Sequence, residues 1–214
     1  MFIISMKRLH YISGVTLALF TLIHLANHLL GLWGINAYTE FMHAARTIYR
    51  NPVIEFVLLL AVFLQLSSGI TLIRKRTKRT NMSRAERLRV YSGIYLAFFL
   101  VVHVFVVLFY RGKGIDTNFY FACLGFNIFP VVFIFIPYYG AGIMSVFIHL
   151  GVVHYYKMQQ FVSLAKAKKQ AISVIVAGSI ITILSILSYS NYFRGVPFTK
   201  EHMDLARLLF KPFM

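Results

Sequence analysis

Five apolar stretches, each long enough to cross a bilayer as a helix, dominate this 214-residue chain. They lie near residues 9–33, 52–73, 88–110, 129–157 and 171–191. At a rise of ~1.5 Å per residue each spans a hydrocarbon core of ~30 Å. Lipid offers no water to unpaired backbone groups, so segments of this length and composition fold as helices. A mean hydropathy of +0.72 and a charged fraction of 13% lie far from those of soluble domains. The expectation is an all-α fold, an integral membrane helical bundle with five transmembrane helices. The fourth stretch is the least regular. Apolar sequence already begins at Phe119, and Pro130, Pro137 and the Gly140-Ala141-Gly142 run can divide it into two shorter elements. Residues 1–198 read as one transmembrane domain and 199–214 as an amphipathic tail. In that tail Leu205, Leu208, Leu209 and Phe210 alternate with Lys200, Arg207 and Lys211, a pattern that suits the membrane interface.

The net charge of +16 is segregated along the chain. Fourteen of the 22 basic residues fall at Lys7 and Arg8, from Arg74 to Arg89, and from Lys157 to Lys169. With five spans these regions share one side, which the positive-inside rule makes cytoplasmic, with the N-terminus inside. A bacterial cytoplasmic membrane is the expected location, ahead of a mitochondrial inner membrane. Such a distribution excludes nucleic acid as the partner and is compatible with anionic lipid or a soluble subunit on that face. Cys123 is the single cysteine, too few for a disulfide within the chain or for an iron–sulfur cluster. The first apolar stretch is too long for a cleavable signal and reads as a retained span. Phosphate loops, dinucleotide-binding glycine motifs and nucleophile–base motifs are absent from the sequence.

Within the first and third stretches an internal repeat recurs 79 positions apart, R-L-x-x-x-S-G-x-x-L-A-x-F-x-x-x-H. The first copy holds Arg8, Leu9, Ser13, Gly14, Leu17, Ala18, Phe20 and His24, and the second holds Arg87, Leu88, Ser92, Gly93, Leu96, Ala97, Phe99 and His103. Each histidine stands 16 residues beyond its arginine, or about 24 Å along a helix axis. Both helices run the same way, so His24 and His103 lie at one depth in the outer half of the membrane. An intramembrane imidazole needs a partner for its ring nitrogens. Two at matched depth on separate helices can hold a b-type haem iron between them, with the small Ala18 and Ala97 making room for the porphyrin. A structural hydrogen bond is the plainer alternative for either histidine taken alone. His28, one turn further, can compete as ligand or bond a haem propionate. His10 and His43 fall near helix or loop ends, where solvation accounts for them, and His154 reads as interfacial. A second level holds Gln65, nine residues before Arg74, and His149, eight before Lys157. Their depths match, so a polar hydrogen bond, a quinone site or an altered haem site are all open there.

In order and spacing these motifs resemble the membrane-anchor cytochrome b of succinate:quinone oxidoreductase and quinol:fumarate reductase, in its single-polypeptide, five-helix form. The residues that carry the likeness are Arg8-Leu9-His10 with Gly14 and His24, Gln65-x-x-x-Gly69, Gly93 with His103, the segment ending near His149, and Lys166–Lys169 with the last span. It covers residues 8 to 192. The resemblance implies four helices around stacked b haems, with His24 and His103 as axial ligands of the outer one. Gln65 stands where the family has a histidine opposite His149, so one haem b is expected and the second is left open. It further implies a flavoprotein subunit, an iron–sulfur subunit and membrane quinone as partners, the chain itself doing no dicarboxylate chemistry. Arg8, Ser13, Arg89 and Ser92 are the polar residues near the inner face able to bond a quinone carbonyl. Two rival readings stay open: a haem b subunit of another quinone-linked dehydrogenase, and a haem-free anchor or small transporter.

Overall fold

A computed structural model describes residues 5–77 and 81–213 of the chain, with helices and no strand among them. Part of the basic run, residues 78–80, lies outside the described residues. Five helices are long and apolar enough to cross a membrane: α1 (Met6–Leu30), α3 (Pro52–Thr77), α4 (Arg84–Gly112), α6 (Val132–Met158) and α7 (Leu164–Tyr189). The chain is thus built as an integral membrane helical bundle. Three shorter helices, α2 (Ile35–Tyr49), α5 (Phe119–Asn127) and α8 (Lys200–Phe210), complete it.

Local chemistry sets the helix starts. Ser5, Ser83, Asn118, Ser163 and Thr199 each accept a backbone N–H of the following first turn, and Ser83 with Glu86 closes a capping box. Pro52 opens α3, where its missing N–H costs nothing. The fourth apolar stretch divides where Pro130 interrupts it, between α5 and α6, and not at Pro137, which α6 carries in its interior.

α1, α4 and α7 run in one direction, here called upward, and α3 and α6 return. α3 packs on α1, α6 on α4, and α7 closes the ring between α6 and α1, while α3 and α4 touch only briefly. Across the ring, α1 approaches neither α4 nor α6 through its backbone. From Leu96 to Tyr110 no residue of α4 is fully buried, and this helix packs chiefly on α6.

The tightest packing lies above the ring. α2 turns Tyr38, Met42 and Arg46 inward at intervals of four residues, one face of a helix. Tyr38 and Met42 meet Phe119, Cys123 and Phe126 of α5 and Tyr189 of α7. Arg46 fastens the loop before α5, donating to Asp116 at 2.9 Å and to the Thr117 carbonyl at 3.0 Å. The tail is helical as its pattern suggests, but α8 is docked and not simply laid on a surface: Ala206 and Phe210 bury against Leu124, Ile128 and Val131. Leu208 remains exposed.

Cys123 is completely enclosed in this cap, and burial pushes its thiol up to about 12. Neutral and inaccessible at pH 8, it should resist maleimide in the folded full-length protein and react fully after denaturation in SDS. Labelling of the folded protein at the rate of a free thiol would contradict the packing of the cap.

Candidate imidazole sites in the bundle

The repeat becomes a matched pair of helix faces. In each copy the phenylalanine lies one turn before the histidine and stacks on it. The Phe20 and His24 rings are 5.5 Å apart at 16°, and those of Phe99 and His103 are 5.4 Å apart at 10°. Each imidazole plane is thereby fixed by an i,i+4 contact. The two histidines face each other across the ring with centroids 5.9 Å apart and planes at 68°. Two imidazole–metal bonds of ~2 Å each, plus the reach from each ring centre to its nitrogen, call for about this separation.

Three observations bear on what the pair can hold. First, among the described residues neither His24 nor His103 has a hydrogen bond to its ring nitrogens; their contacts are aromatic, with Phe20, Phe99, His28 and Tyr139. An interior imidazole without a polar partner is costly, and a metal bond removes that cost. Second, both residues sit deep within the bundle and are not completely enclosed. Third, no group of three or more His, Cys, Asp or Glu side chains among the described residues is placed to hold a metal ion. A bare cation would find too few ligands here, whereas a haem iron would call on only these two imidazoles. The residues present therefore fit such an iron.

His28 is turned to another task. Its ring nitrogen meets the Tyr189 hydroxyl, its carbonyl accepts from Ser188 Oγ at 2.7 Å, and its ring lies 4.4 Å from that of His24. Tyr189 in turn borders Tyr38, whose phenol burial pushes up to about 12. This aromatic group closes the upper end of the site.

Below, the expected opposition of Gln65 and His149 is replaced by another arrangement. Gln65 accepts from Ser13 Oγ at 2.6 Å and its amide nitrogen lies 3.2 Å from His10 Nε2. His10 is thus part of an interior network and not a solvated helix-end residue; its Nδ1 is 3.0 Å from Ser68 Oγ. It is His10 that faces His149, with centroids 6.5 Å apart and planes at 73°. The reason is geometric: Ser13 draws the Gln65 amide towards α1, where His10 lies one turn below. His149 donates from Nδ1 to the Arg89 carbonyl at 3.1 Å, with Ser92 Oγ at 3.4 Å. Gly93 of the repeat makes room for His149, since a Cβ there would stand 3.2 Å from its ring, whereas a Cβ at Gly14 would meet Gln65 at an ordinary 3.4 Å.

Of the polar residues expected near a quinone, Ser13 and Ser92 are buried and committed, Ser92 Oγ donating to the Leu88 carbonyl at 2.6 Å. Arg8 is exposed, and Arg89 lies over the Tyr156 ring at 5.0 Å. His43 is exposed, and His154 pairs with Gln170 at 3.0 Å near the lower end. Sequence reasoning passed over Phe20 and Phe99, although both belong to the repeat, and over His10, which only the path of α3 brings into the interior. Compared with protein-family models, curated proteins and solved structures, the chain matches none.

Proposed function

We propose that this chain is a haem b membrane subunit that carries electrons between a soluble iron–sulfur subunit and membrane quinone, as the anchor of a succinate dehydrogenase or fumarate reductase. The observation that carries the reading is the facing of His24 and His103, without other polar partners, across a gap that two metal–imidazole bonds would span. Haem b bound there would supply reversible one-electron chemistry. His24 and His103 would hold its iron between them, an arrangement that suits electron transfer. Phe20 and Phe99 hold the ligand planes, and the His28 ring nitrogen is engaged by the Tyr189 hydroxyl.

The basic lower face, with Arg84, Arg87 and Lys157 among its residues, is in this reading the cytoplasmic side and the docking surface for the flavoprotein and iron–sulfur subunits. Arg8 and Arg89 supply cationic donors near the lower ends of α1 and α4, where a quinone carbonyl can be bound at the membrane boundary. Ser13 and Ser92 act one step removed, by fixing Gln65 and the surroundings of His149. The transporter alternative calls for interrupted helices, whereas each of the five long helices is continuous across its described residues.

The test is purification of the native complex through a tag on this chain. The expected preparation contains haem b, flavin and acid-labile sulfide, and succinate reduces its haem. A preparation rich in haem but with a different dehydrogenase attached would assign the chain to that enzyme and contradict the dicarboxylate reading.

A further inference from the structure

Resting on the haem reading above, we infer that the side between α3 and α4 is where the bundle takes up and releases its haem. The ion pair of Glu55 with Arg111 is the clasp that holds this side shut. The other sides of the ring are made by helices packed along each other: α3 on α1, α1 on α7, α7 on α6 and α6 on α4. α3 and α4, the two ends of that series, touch only briefly. The chain itself joins their lower ends, α3 ending at Thr77 and α4 beginning at Arg84. At their upper ends the Arg111 guanidinium donates to the Glu55 carboxylate. Between Glu55 and Thr71, α3 makes no other hydrogen bond, ion pair or ring contact with α4 among the described residues.

From Phe56 to Leu64, α3 carries only apolar side chains, as α4 does from Leu96 to Phe109 apart from His103. Apolar contact gives two helices little reason to prefer each other over lipid, so a polar fastening decides whether this side stays closed. Glu55 lies in the first turn of α3 and Arg111 in the last turn of α4, where each charge suits its own helix dipole. Both side chains are partly buried, 23% of Glu55 and 35% of Arg111 being exposed, so salt screens their attraction less than that of a surface pair. The neighbouring charges leave Arg111 dependent on Glu55. Arg46 occupies Asp116 at 2.9 Å, and Arg50 donates to Thr117 Oγ1 at 3.2 Å. Burial, and then the nearness of Arg46 and Arg111, push the Arg50 guanidinium down. Without Glu55, three arginines would face the single carboxylate of Asp116, and their repulsion would favour parting α4 from α3. His103 belongs to α4, so parting it from α3 loosens the imidazole pair while the packed sides of the ring stay intact.

The full chain, with the subunits that co-purify, is tested by transfer of its haem to excess apomyoglobin, read from the optical spectrum. Glu55→Gln and Arg111→Gln should each speed release about tenfold, as expected for the loss of one charge-assisted hydrogen bond. Should either variant fail to assemble, Glu55→Cys/Arg111→Cys bridged by a short bismaleimide puts a covalent clasp in the same place; Cys123 is enclosed and stays unreacted. Bridging the haem-loaded protein should slow release below the wild-type rate, and bridging the haem-free chain should stop haem uptake. Release at the wild-type rate in both charge variants, or uptake and release unaltered by the bridge, would overturn the clasp and leave the haem reading standing. A wild-type chain that holds no haem in any folded preparation would overturn the reading on which the clasp rests.

Discussion

Replacing His24 or His103 by alanine should remove one haem per chain, whereas His28→Ala should leave the count unchanged. The contrast follows from what each ring already holds. His24 and His103 have aromatic neighbours only and lie opposite each other at 5.9 Å. His28 spends its ring nitrogen on the Tyr189 hydroxyl and its carbonyl on Ser188. Alanine at either position would leave the proposed haem iron with a single imidazole from this chain. The measurement is haem content per polypeptide, with circular dichroism to verify that the helices persist. A count unchanged in His103→Ala would contradict the pairing directly.

The second large effect is expected at the contact of α6 with α7. A Cβ added at Gly178 would stand 2.3 Å from Phe147 Cβ and 2.3 Å from its Cγ. Phe147 Cβ is anchored to the backbone and cannot swing aside, so Gly178→Ala must force the two helices apart. Overpacking of this kind costs about 1–3 kcal/mol, and the anchored clash places Gly178→Ala at the upper end of that range. Gly140, two helical turns before Phe147 on α6, is the control. A Cβ there would meet Ile186 Cδ1 at 3.7 Å and Thr182 Cγ2 at 3.8 Å, ordinary van der Waals distances. Gly140→Ala should therefore be neutral or stabilising, since alanine favours a helix over glycine by about 1 kcal/mol. Unfolding in SDS, followed by circular dichroism, separates the two. Equal stability of both variants would mean that α6 and α7 are not in close contact at Gly178.

Small residues at helix contacts are expected where lipid gives no hydrophobic drive for helices to associate. Here they set a division of labour. α6 and α7 are drawn close at Gly178, and at Gly151 a Cβ would stand 3.1 Å from the Ala171 carbonyl. α1, by contrast, meets neither α4 nor α6 except through side chains. One flank and the upper cap are closely packed, whereas α1 reaches α4 and α6 through imidazole pairs.

The sequence made the five spans and the upper pair legible for simple reasons. Hydropathy reports what lipid demands, and the repeat fixes two histidines at one height on helices of the same direction. It concealed α2 because Tyr38, Met42 and Arg46 form a face of mixed polarity in a stretch too short to read as a span. It blurred α5 into the fourth span because Phe119–Asn127 is as apolar as the membrane helix after it, although its apolar surface is covered by α2, α7 and α8. It misplaced His10 because depth along one helix says nothing of what a neighbouring helix extends towards it. Gln65 and Ser68 of α3 draw that residue inward, and only the packing of α3 on α1 brings them together.

The most direct test of the central claim is a reduced-minus-oxidised optical spectrum of the intact, folded chain, with the haem identified as its pyridine haemochrome. A b-type spectrum from low-spin, six-coordinate iron is the predicted result, with one haem per chain removed by His103→Ala. A folded preparation without haem, or one whose haem is untouched by that substitution, would contradict it.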